Sequence, residues 1–63
     1  MRPLTATQRA LVALFDQGQP APDGTSPDDC KVVAAWYLDG GQDGVKPMIA
    51  LQEAARLARL EGK

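Results

Sequence analysis

The sequence predicts an all-α fold, a small three-helix bundle with helices at about 6–17, 27–39 and 47–61. Three observations carry this. Apolar residues recur at helical spacing in three segments. Stretches rich in proline and glycine separate those segments. Helix start signals stand at the beginning of each one. Residues 1–63 therefore read as one helical domain.

The first helix starts at Ala6. Thr5 is a good N-cap, and Gln8 three residues on completes a T-x-x-Q capping box that satisfies two free backbone donors. Leu11, Leu14 and Phe15 share one face, with Val12 at its margin, while Arg9, Asp16 and Gln17 fall outside it. Gly18 supplies the left-handed stop. Residues 18–26 hold two prolines and two glycines and read as a connecting loop.

The second helix has the clearest start in the chain. Ser26 caps it, Pro27 takes the first helical position, and Asp28 and Asp29 oppose the positive end of the macrodipole. It runs to the Asp39-Gly40-Gly41 stop. Cys30, Val33, Ala34, Tyr37 and Leu38 form an apolar arc, which Val32 and Trp36 extend on its far edge. That width predicts a central helix, buried over more than half its circumference.

The third helix begins near Pro47 and is built from strong helix formers. Gln52, Arg56, Arg59 and Lys63 share a narrow stripe, which reads first as the solvated face of a terminal helix. Met48, Ile49, Leu51, Leu57, Leu60 and alanines fill most of the rest, broken by Glu53 and Glu61. One apolar stripe packs on the other helices, and the surplus points to a partner or a second copy.

Size sharpens that point. Of the 28 hydrophobic residues, ten are alanines, so the core of this 63-residue chain is thin. Small domains add disulfides, metals or association. Cys30 is the only cysteine and there is no histidine, which excludes an internal disulfide and the common zinc sites. Self-association or a protein partner is the route left.

Catalysis lacks its usual parts. The missing histidine removes the ordinary general base near neutral pH, and Ser26, the only serine, is spent as a cap. Cys30 lies on the apolar arc and reads as a small core hydrophobe, with a reactive or redox-sensing thiol as the alternative. Asp39, Asp43 and Gly44 fit positions of a calcium loop, but Ala50 stands where the bidentate glutamate belongs. No cofactor or metal is expected.

Composition fits a cytoplasmic protein. A lone cysteine suits a reducing compartment, no stretch has the signal-peptide pattern, and the longest apolar run, Val32 to Leu38, is far short of a membrane span. The absence of asparagine and the wealth of Ala, Gly, Leu, Asp and Arg suit a GC-rich bacterial or phage genome.

The functional expectation is a non-enzymatic protein-interaction module: an adaptor, or a regulator or inhibitor that docks a helical face on a larger protein or on its own copy. The candidate contact residues are Trp36, Val32, Met48, Leu51, Gln52, Arg56 and Arg59. Trp36 either closes the bundle against the third helix or is a partly exposed anchor, since tryptophan is rarely fully buried and is enriched in binding hot spots. The alternative is a DNA-binding regulator that reads bases with Gln52, Arg56, Arg59 and Lys63 on the last helix. Against it stand a net charge of −1, a pI near 5.0, aspartates in both loops, and a connection from Leu38 to Pro47 longer than a helix-turn-helix allows.

Overall fold

The computed structural model describes residues 3–41 and 44–62. It contains three helices, α1 (Ala6–Asp16), α2 (Pro27–Asp39) and α3 (Val45–Glu61), and no strand among the described residues. The expected all-α three-helix bundle is what forms. Its most extensive packing is α2 along α3; α1 lies mainly on α2 and touches α3 least. So α2 is central in topology.

The helix starts follow local chemistry. The Thr5 hydroxyl accepts from the Gln8 amide at 3.2 Å, and the Gln8 side chain accepts from the Thr5 amide at 3.0 Å. Ser26 accepts from the Asp28 amide with Pro27 in the first turn. Such caps are worth about 1 kcal/mol each. The third start differs from expectation. It lies at Val45, with Gly44 as N-cap at φ +112° and Pro47 at the third helical position. A proline there costs no hydrogen bond, because the first-turn amides have no intrahelical partner. The start of α3 therefore lies closer in sequence to the end of α2 at Asp39 than the sequence implied.

The core is Leu11, Phe15, Ala21, Cys30, Val33, Ala34, Tyr37, Ala50, Ala54 and Leu57. Leu38, expected on the buried arc of α2, is 53% exposed. It lies about 100° round from Tyr37, past the edge of the packed face. The fully buried residues of α2 run from Val33 to Pro27 on the wheel, about a third of the circumference at that spacing. The expected burial of more than half is not reached.

Polar contacts tie the helices at each end. The buried Gln8 side chain donates to Asp29 at 3.0 Å, joining the start of α1 to the start of α2. At the far end of α1, Asp16 accepts from the Tyr37 hydroxyl at 2.7 Å and pairs with Lys46 at 3.2 Å. One carboxylate thus meets all three helices. An acid in the last turn of a helix is ordinarily unfavourable, and these two donors offset that.

The Tyr37 hydroxyl, and after it Lys46, hold the Asp16 carboxyl below its ordinary range. Arg56 does the same for Glu53. Both folded values lie below the unfolded ones, so this stability is present above about pH 4.5 and is lost as pH falls through the folded values. Each group contributes at most about 1.4 kcal/mol per pH unit, and less for Asp16, which solvent screens. Urea midpoints between pH 7 and 3 should fall on the acid side. The slope should flatten in the double variant Asp16→Asn, Glu53→Gln; an unchanged slope would mean other carboxylates dominate.

Candidate functional site

All the candidate contact residues except Arg56 divide between two surfaces. On α2, Val32 and Trp36 stand one helical turn apart and face the α1 side. Trp36 is half-buried, its ring 5.2 Å from that of Tyr37 in an edge-on arrangement. Adjacent positions on a helix cannot share one core site, and the two aromatics separate accordingly: Tyr37 is 1% exposed and Trp36 forms a wall.

That wall bounds a groove of about 480 Å³ lined by Leu4, Arg9, Val12, Ala13, Asp16 and Trp36. A second hollow of about 350 Å³ lies on the same α1–α2 seam, between Pro3, Thr5, Gln8 and Val32. Four of the first groove's six lining residues are apolar, with Arg9 and Asp16 as the charged pair. Asp16 is already engaged by Tyr37 and Lys46. Arg9 spends one guanidinium N–H on the Leu4 carbonyl at 2.9 Å.

The α1 wall went unnoticed in the sequence. Leu4 precedes the N-cap, where an apolar residue ordinarily folds onto the fourth helical position. That position is Arg9, so no apolar staple draws Leu4 down onto α1, and it lines the groove instead. The mismatch between an apolar Leu4 and a charged Arg9 was the available signal.

The second surface is the outer side of α3. Pro47, Ala50, Ala54 and Leu57 form its buried seam. Met48, Leu51, Ala55 and Ala58 follow each of these by one residue, about 100° round, and all four are exposed. Met48 is 58% exposed. Gln52 and Arg59 flank this second stripe and are also exposed. The apolar surplus read from the α3 wheel is therefore real, but it lies apart from Trp36, whose groove neighbours come from α1 and the residues before it.

Arg56 belongs to neither surface. Its guanidinium grips Glu53 one turn away, with Nη2 to Oε1 at 2.9 Å, donates to the Ala21 carbonyl at 2.8 Å, and reaches Asp23 at 3.2 Å. Glu53 and then Asp23 hold it more firmly protonated than an ordinary arginine. A residue expected on a solvated or reading stripe instead pins the 18–26 loop to α3. Lys63, the last member of that stripe, lies outside the described residues.

Cys30 is wholly buried, and burial first, then the negative charge of Glu53, pushes its thiol up from the ordinary value. A raised pKa at a buried site is the opposite of what nucleophilic chemistry needs. Among the described residues, no three His, Cys, Asp or Glu side chains gather as a metal site. The Asp39–Gly44 stretch lies partly outside those residues. No helix among them is long and apolar enough to cross a membrane. Comparison with protein-family models, with curated proteins and with solved structures yields no match.

Proposed function

We propose that the chain is a small, non-enzymatic protein-interaction module, an adaptor or a regulator or inhibitor, acting in the cytoplasm on another protein or on a second copy. The observation that carries this reading is the groove between α1 and α2, with half-buried Trp36 as its wall and Leu4, Val12 and Ala13 as its apolar lining. A tryptophan beside a largely apolar groove is the arrangement in which binding energy concentrates. The exposed Met48–Leu51 stripe of α3 is the second candidate face.

Affinity capture from the native host with Ala13→Arg and Leu51→Asp variants separates the faces. Both positions are exposed helix sites, so each change should alter stability by less than about 0.5 kcal/mol. The expected result is that Ala13→Arg, which fills the groove, abolishes capture together with Trp36→Ala. Loss on Leu51→Asp alone would move the contact to α3. Capture indifferent to all three variants, or a monomer whose Trp36 fluorescence resists an aqueous quencher, would remove this reading.

DNA binding through α3 is the alternative, and its support is narrower. Arg56 is engaged by Glu53, Asp23 and Ala21, which leaves Gln52 and Arg59 as the exposed members of the described stripe. The start of α3 at Val45 does ease the objection drawn from the spacing between α2 and α3. Salt-dependent binding of mixed duplex DNA, lost on Arg59→Ala, would support it. Absence of binding at low salt would end it.

A further inference from the structure

We propose that residues 18–26 form a latch that opens as a unit, with the three helices intact, and uncovers the Cys30 end of the core. The segment has the mechanical parts of one. Gly18 at φ +73° starts it and Gly24 at φ +90° stands two residues before its end, both in a region glycine enters without strain. Between them, Pro20 and Pro22 fix their own φ angles and carry no N–H, which makes the Pro20–Pro22 stretch a stiff strap.

Ala21 carries the strap's one amide between the two prolines, and α3 takes hold of that residue from both sides. Its N–H donates to Glu53 at 2.7 Å, and its carbonyl accepts from Arg56 at 2.8 Å. Arg56 also bonds Glu53, so a single ion pair one turn long clamps the strap at its midpoint. Asp23 adds an exposed contact to the same guanidinium. The segment's other backbone bonds are local: Gly18 and Gln19 donate to Phe15 and Leu14 at the end of α1, and Thr25 donates to Pro22 within the segment.

What the strap buries is small and specific. Ala21 inserts one methyl group into the core cluster, to which Cys30 also belongs. A methyl is a weak apolar anchor, so the polar clamp sets how firmly the segment is held. Cys30 lies one turn into α2, which begins where the 18–26 segment ends, and it shares the buried cluster with Ala21. Release of the clamp therefore brings solvent to the thiol. Segments with few buried apolar contacts open at lower free energy than the whole fold.

Thiol labelling at constant pH tests the latch. An aromatic disulfide reagent is added to the folded protein at increasing urea, and labelling of Cys30 is compared with unfolding followed by circular dichroism. The expected result is labelling at low urea whose rate hardly changes with denaturant. Glu53→Gln and Arg56→Ala should raise that rate about tenfold or more, beyond their effect on overall stability, since each removes charged hydrogen bonds. Arg59→Ala, away from the clamp, should leave it unchanged. If Arg56→Ala fails to fold, Arg56→Lys keeps the charge, loses the planar fork, and should fall between. Labelling with the urea dependence of global unfolding, in the wild type and in Arg56→Lys, would overturn the proposal, as would a thiol that labels only after denaturation.

Discussion

Tyr37→Ala leaves the chain largely unfolded at 25 °C. The phenol ring is among the largest fully buried side chains, in the middle of the packed face of the central helix. Truncating a buried aromatic costs about 3–5 kcal/mol. A domain this small rarely has more than about 3–5 kcal/mol to lose. Circular dichroism should show most helical signal gone, and a retained cooperative melt within a few degrees of wild type would contradict the packing described. Tyr37→Phe separates ring from hydroxyl. It keeps the volume and forfeits the hydroxyl's one donated bond, to Asp16 at 2.7 Å, beside the Val12 carbonyl at 3.2 Å. That should cost about 1–2 kcal/mol, or about 4–8 °C in Tm per kcal/mol.

The same substitution has an alkaline signature. Burial, and then the Asp16 carboxylate, hold the Tyr37 phenol well above its ordinary value of 10.0. Its folded value is raised, so its stabilisation is complete below the unfolded value and is lost as pH climbs from there through the folded one. Cys30 adds a similar loss that begins nearer its ordinary 9.0. Stability measured from pH 8 to 11 should fall in the wild type. In Tyr37→Phe the decline should be shallower, with the part due to Cys30 remaining.

Local chemistry was legible in the sequence and distant chemistry was not. The Thr5–Gln8 box, the Ser26-Pro27 start and the Gly18 stop join residues within a few positions, where spacing alone determines who meets whom. The contacts that hold the elements together span much more chain. Gln8 meets Asp29 across 21 positions, and Arg56 meets Ala21 across 35. Nothing in a helical wheel distinguishes an arginine aimed at solvent from one aimed at a returning loop. For the same reason the Trp36 edge was legible, while its α1 wall of Leu4, Val12 and Ala13 was not. Apolar stripes one residue apart on α3 look alike until a neighbouring helix covers one of them.

Alanine poses that ambiguity most sharply, and it yields the second large effect: Ala50→Leu should cost about 1–3 kcal/mol, while Ala55→Leu should cost almost nothing. Of the ten alanines, Ala21, Ala34, Ala50 and Ala54 are buried. Ala50 is completely shielded, on the seam of α3 in the extensive α2–α3 contact. Small side chains there let the two helices approach closely, so the added leucine atoms meet packed neighbours and force off-rotamer side chains or backbone shifts. Ala55 lies on the outer stripe with solvent beside it, and leucine is nearly as good a helix former as alanine. Chemical denaturation of both variants decides the matter by comparison. A lower urea midpoint for Ala50→Leu beside an unchanged one for Ala55→Leu places the packed seam at Pro47, Ala50, Ala54 and Leu57. The reverse order would mean that α3 is rotated about its axis. Met48 and Leu51 would then be core, and the exposed stripe proposed as the second candidate face would not exist.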